Sequence, residues 1–375
     1  MPDSPRALFV TYTFGNPIVA GVLFRAIRLA TELTRRGWTS VIFNFGPVVG
    51  DPKTEALGSH IEIRNHPDTS CVGKALDQFR GARPDVVIFG EAPFAGAMKL
   101  LWDAAEMLGK PFILLEQYYD LGTPGNFDVD LMLLYGLKCF WECHSNPRRR
   151  WTIISPFITE VTPEVALPLG PPPEGARRLL ILGGEQIVRQ EGIRLAAALS
   201  DLSPQVVTLS RDPSAAADEM ATAGIPSSHA VALPLQHDGV LFGLLQSSAA
   251  AIMANGFMQM TEALALACPC ALVDRGIGMW SCQVDGVFQP YVSFADDWNE
   301  QRTRLRGWLE HSPFDPVLRE KLRAERNGAS ECAEHVERVL AGRNRWRIRW
   351  RQATYQARHF GNRIGERFHQ REAAA

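Results

Sequence analysis

Residues 7–13 form a short run of mostly apolar positions that gives way to Gly15, Asn16 and Pro17. A brief apolar run ended by turn formers predicts a strand buried on both faces. The period then changes. Val22, Leu23, Ile27, Leu29, Ala30 and Leu33 recur at three- and four-residue steps, and Arg35, Arg36 and Gly37 close the segment. That is the signature of an amphipathic helix with a basic, glycine-terminated end. The same alternation predicts strands at 40–45, 85–89 and 111–115, with a helix over 94–108 between the last two. Strands apolar on both faces, alternating with helices, imply a parallel sheet covered on both sides.

The periodicity breaks between 156 and 176, where Pro163, Pro168 and Pro171-Pro172-Pro173 fall among few large apolar residues. We expect an interdomain linker there. Beyond it the alternation restarts, with strands at 178–182, 205–209, 249–253 and 270–273 and helices at 188–199, 214–223 and 260–267. The expected fold class is α/β, with two Rossmann-like, doubly wound domains in tandem. Residues 1–155 form the first domain, 156–176 the linker, 177–312 the second domain and 313–375 a set of C-terminal helices.

The chain has 375 residues, a length that suits two domains, and its 21% charged residues are ordinary for a globular protein. A net charge of -2 argues against a whole-chain nucleic-acid binder. The charge is uneven, however. Residues 343–375 hold nine arginines and two glutamates, net +7, leaving -9 on the preceding 342. No apolar run reaches the ~18 residues of a membrane span, and the first residues lack the pattern of a signal peptide. Seven cysteines, an odd number in a large chain, fit a reducing compartment, so a cytoplasmic location is expected. Cys139, Cys143 and His144 lie close together, as do Cys268 and Cys270, but neither group has a zinc-finger spacing and both lie beside apolar residues, so we read the cysteines as buried thiols rather than a metal site.

Ligands of open parallel sheets bind beyond the carboxyl ends of strands. Gly183-Gly184 follows the strand at 178–182. These glycines fit a phosphate cradle at a helix start or simply a strand-ending turn. Asn255-Gly256 leads to Thr261-Glu262 at the head of a helix. That carboxylate fits either the helix dipole or a ribose diol. The third such loop is 13–21. None of the three is a G-x-G-x-x-G or Walker sequence.

These residues together resemble a known family. Leu182-Gly183-Gly184-Glu185-Gln186 is similar to the strand and Gly-Gly-Ser-Gln turn that opens the donor domain of the lipid-linked N-acetylglucosaminyltransferase of peptidoglycan synthesis. Residues 255–269 resemble its Gly-x-x-Thr-x-x-Glu-Ala-Leu-x-x-Gly-x-Pro signature, and Gly21 to Gly37 resemble its Gly-His-x-x-Arg acceptor-side pattern. The resemblance implies the GT-B fold of nucleotide-sugar glycosyltransferases over about residues 6–310. Four positions depart from the pattern: Glu185 stands for a hydroxyl residue, Gln259 for threonine, Ala267 for glycine and Val22 for histidine.

The resemblance further implies transfer of a sugar from a nucleotide diphosphate sugar, as co-substrate, to an acceptor, with neither cofactor nor metal. Gly183, Gly184, Gln186, Arg189, Gly256, Gln259, Thr261, Glu262 and Gln283 would bind the donor, Arg189 also offsetting the charge of Glu185. Gly15, Asn16, Gly21 and Arg25 form the acceptor-side loop, and Glu91 and Asp120 are the candidate bases. Hydrolysis or epimerisation of a nucleotide sugar, and a catalytically inactive helper subunit, are the competing functions. In the basic tail, Trp346, Trp350, Ala353, Ala357, Phe360, Ile364 and Phe368 make a helical stripe. Packing on the first domain or a protein partner, docking at the inner membrane face, and contact with another polyanion all fit it, whereas specific nucleic-acid recognition is not expected.

Overall fold

The computed structural model describes residues 4–13, 21–46, 57–65, 70–90, 97–117, 129–141, 144–148, 150–169, 171–274, 288–294 and 297–342. Near the C-terminus it describes 346, 348–350, 352–354 and 357. The first half builds strands β1 (Arg6–Tyr12), β2 (Thr39–Phe45), β3 (Ile61–Asn65), β4 (Val86–Phe89), β5 (Phe112–Gln117), β6 (Leu131–Tyr135), β7 (Ser145–Asn146) and β8 (Trp151–Ile154). They form one sheet in the order β3-β2-β1-β4-β5-β6-β8-β7, parallel except for the short β7 pairing. Helices α1 (Gly21–Arg35), α2 (Val72–Ala82) and α3 (Ala97–Leu108) cover it.

The second half repeats the plan with β9 (Arg178–Leu182), β10 (Gln205–Ser210), β11 (Ala230–Pro234), β12 (Ala250–Ala254), β13 (Cys270–Val273) and β14 (Val292–Phe294). All pair in parallel, in the order β11-β10-β9-β12-β13-β14. Its helices are α4 (Gln186–Ala197), α5 (Pro213–Thr222), α6 (Asp238–Ser247), α7 (Phe257–Ala265) and α8 (Trp298–Glu310), followed by α9 (Pro316–Ala324) and α10 (Gly328–Ala341).

Both faces of each sheet are buried, as the unbroken apolar strands require. In β1, Leu8 and Val10 enter a core with Phe43, Phe79, Phe89, Trp102 and Phe112. Ala7 and Phe9 point the other way, into a cluster that continues through Leu23 and Ile27 of α1 to Phe242, Met258 and Leu180 of the second half. A third cluster around Leu179, Ile181 and Ile252 covers the far face of the second sheet. The apolar core therefore runs without a break from one half to the other. Residues 156–169 take part, since Phe157 and Ile158 are buried and Phe157 bridges to Asn327 just before α10. Helix α10 returns to pack against α1.

Sequence periodicity misplaces α7. Its start is Phe257 rather than 260, because Gly256 supplies an extended N-cap backbone directly after the β12 turn. The predicted elements omit β3, β6, β7, β8, β11 and β14, as well as α2, α6 and α8.

Candidate active site at the two switch points

A doubly wound sheet opens a crevice where successive connections run in opposite directions from neighbouring strands. In the second sheet the switch lies between β9 and β12, whose Ile181 and Ile252 are register partners. The segments leaving those two strands are Gly183-Gly184-Glu185 and Asn255-Gly256. Both donor-side motifs thus flank one crevice, and each ends at a helix N-terminus. Gly183 also has a packing reason to lack a side chain: a Cβ there would lie 2.9 Å from the Cβ of Arg189.

In the first sheet the switch lies between β1 and β4, where Gly90 N donates to Val10 O at 2.9 Å. Gly21 opens α1 beside Met258 of α7, so the two crevices adjoin. Val22, at the histidine position of the resemblance, is buried against Gly90, which has no room for a Cβ on that side.

Two arginines from consecutive turns of α1 enter this junction. Arg25 is fully buried, donates from Nη2 to Gly90 O at 2.8 Å and lies 5.7 Å from the centre of the Tyr135 ring. Its Nε and Nη1 have no hydrogen-bond partner among the described residues. Buried donors left without acceptors are costly. Arg28 crosses to the second half. Its Nε and Nη2 donate to Asp238 Oδ2 and Oδ1 at 2.6 and 3.0 Å, and its Nη1 donates to Glu262 Oε1. Tyr135 Oη donates to the same carboxylate oxygen at 3.1 Å. Burial pulls the Arg28 guanidinium down in pKa, but Glu262 and Asp238 outweigh it and hold the group above its usual range. Burial and then Glu262 push the Tyr135 phenol well up, so it stays a donor.

The arrangement revises several expectations. Glu262 lies in the second turn of α7, not the first, so the helix dipole does not explain it. It is 1% exposed and ion-paired. Thr261 is wholly buried and its hydroxyl donates to Phe257 O and Met258 O, within its own helix. Arg189 does not neutralise Glu185: it is bound in fork fashion to Glu219 at 2.7 and 2.8 Å and to Ser210 at 3.2 Å. Gln186 is exposed at the start of α4, and Gln259 is half-buried on α7. Glu91, Asp120, Gln283, Gly15 and Asn16 lie outside the described residues. Arg28, Asp238 and Tyr135 were not anticipated. Their one sequence signal was an arginine three residues after Arg25 in a largely apolar helix.

No protein-family model matches the chain, and no curated protein matches it significantly. Solved structures do. MurG of Acinetobacter baumannii aligns over 89% of this chain and 100% of its own, with a TM-score of 0.59 at 11% identity. The glycosyltransferase VinC, in complex with dTDP, covers 90% and 99% with a TM-score of 0.59 at 16% identity. A candidate UDP-N-acetylglucosamine 2-epimerase from Listeria monocytogenes covers 91% and 98% with a TM-score of 0.56 at 11% identity. The chain has the GT-B fold. In GT-B terms, the crevice at β9 and β12 belongs to the second domain, that at β1 and β4 to the first, and the Arg28 ion pairs join them.

Proposed function

We propose that this protein is a glycosyltransferase that moves a sugar from a nucleotide diphosphate sugar to an acceptor bound by the first domain. One observation carries the reading: the two glycine-bearing helix starts flank the switch point of the second sheet, with Glu262 one turn further along α7. Amides at Gly184 and Gly256, with the positive ends of α4 and α7, suit a pyrophosphate. They would stabilise the charge on the departing diphosphate as the bond from the anomeric carbon to its oxygen breaks, without a metal. Glu262 would accept the ribose hydroxyls, which requires the ribose to take the place that Arg28 holds against that carboxylate. Arg25, with two free donors in the first crevice, would contact an anionic group of either substrate. The acceptor proton would pass to Glu91, the residue after Gly90 at the end of β4, or to Asp120, and Gln283 would touch the donor sugar.

The buried ion pair of Glu262 with Arg28, with Tyr135 Oη donating to the same oxygen, favours a second reading, a GT-B helper subunit that has kept the fold without the chemistry. The epimerase likeness keeps nucleotide-sugar hydrolysis or epimerisation in view. A thermal-shift titration with UDP, dTDP and GDP tests the donor site, since a ligand that binds only the folded state raises its apparent stability. At least one nucleotide should shift the wild type, and Glu262→Ala should abolish that shift. Equal shifts in both proteins would end the ribose assignment. Incubation with the corresponding nucleotide sugars, with and without cell extract, separates the functions. Nucleotide diphosphate release only with extract indicates transfer, release without it indicates hydrolysis, conversion of the nucleotide sugar without release indicates epimerisation, and binding with neither indicates the helper.

A further inference from the structure

The described part of the C-terminal apolar stripe, Trp346, Trp350, Ala353 and Ala357, faces away from the protein. Helical backbone runs through the described positions between 346 and 357, and one side of it is seated on the first domain. Ile348 is buried, and Gln352 Nε2 donates to Met107 O at 2.9 Å, at the end of α3. Ile348 and Gln352 are four residues apart and share a face. Trp346, Trp350, Ala353 and Ala357 share the opposite face, and all four are exposed. The two indoles, 70% and 62% exposed, meet edge to face with centroids 5.6 Å apart. They form one apolar patch, whereas isolated exposed apolar residues would need no explanation.

The seated face has an ordinary role in holding the helix, which leaves the stripe free for something outside the molecule. Its charge setting defines the class of partner. Arg349 is exposed beside Trp350, and residues 343–375 carry net +7 against -9 on the rest of the chain. A partner must therefore offer an apolar phase bounded by negative charge. Duplex nucleic acid offers the charge without the apolar phase. Indoles settle at the boundary between headgroups and acyl chains, and arginines beside them meet lipid phosphates.

We propose that this face binds an anionic lipid surface, with Trp346 and Trp350 entering the interface and the flanking arginines lying on the headgroups. In sequence the stripe continues through Phe360, Ile364 and Phe368. The proposal does not rest on the glycosyltransferase reading and survives its failure.

Flotation of the full chain with two kinds of vesicle tests it, phosphatidylcholine alone and phosphatidylcholine mixed with phosphatidylglycerol. The protein should float with the anionic vesicles only and be released by raised salt. The double variant Trp346→Ser/Trp350→Ser should partition about tenfold more weakly, a loss of about 1.4 kcal/mol. Its melting temperature should be unchanged, because both side chains are already in water. The proposal is overturned if the wild type stays unbound at low salt, or if the double variant floats equally well. Self-association of the wild type that the double variant loses, without vesicle binding, would instead assign the face to a second copy.

Discussion

Ala267 is a single residue under strain. It holds a left-handed backbone, φ 55, where α7 ends. Ala267 N donates to Leu264 O at 2.8 Å and Cys268 N to Ala263 O at 2.9 Å, the pair of bonds that closes a helix through a left-handed residue. Glycine suits that position because it has no Cβ to clash. The related motif has glycine there, and the geometry has been kept without it. Ala267→Gly should therefore stabilise the protein by about 1 kcal/mol, the relief of the left-handed strain less the extra entropy of the unfolded chain. Denaturant midpoints of the two proteins measure it, and an unchanged or lower midpoint would refute the account. This departure was legible from sequence, but its consequence was not, because strain depends on the backbone angles the fold imposes.

At the scale of elements, α10 brings His335 into a half-buried position against the first domain. Burial lowers its pKa, with Arg338 and Lys138 acting in the same direction and Glu331 and Glu334 in opposition. The folded protein thus resists a proton that the unfolded chain accepts near the usual imidazole value of about 6.5. Stability from this group is complete above that pH and is lost as pH falls through the lowered folded value. Chemical denaturation between pH 7.5 and 5.5 should show the wild type losing stability more steeply than His335→Gln. Parallel curves would mean that the imidazole contributes nothing. Strong strands such as β1, β4, β9 and β12 were legible because consecutive apolar residues admit few alternatives. Strands such as β3, Ile-Glu-Ile-Arg-Asn, were not, since partly exposed edge positions carry a mixed pattern.

Across the whole molecule, Arg28 is the joint between the halves. It is a first-domain side chain whose acidic partners, Asp238 and Glu262, both belong to the second. Removing one member of a buried ion cluster leaves the others charged and unpaired, which costs roughly 3–5 kcal/mol. Arg28→Met should lower stability by that order. If the ribose must displace Arg28, the same variant should bind its nucleotide more tightly, because less of the protein is held in a state that excludes the ligand. Calorimetric titration decides between the two roles. Tighter binding supports competition for Glu262, while unchanged or weaker binding makes the ion pair purely structural.

By itself the sequence determined the alternation of strands and helices, the two-part organisation and the positions of the glycine turns. Those properties follow from local periodicity and backbone sterics, which a few neighbouring residues set. The tertiary structure alone decided what the charged residues meet. Glu262 and Arg28 are 234 positions apart and meet only because two crevices face each other. The tail shows the same division: its spacing predicted an apolar stripe, but only packing decided that Ile348 and Gln352 turn inward and the tryptophans outward. A period fixes which residues share a face, and the contacts available to the opposite face fix which one is buried.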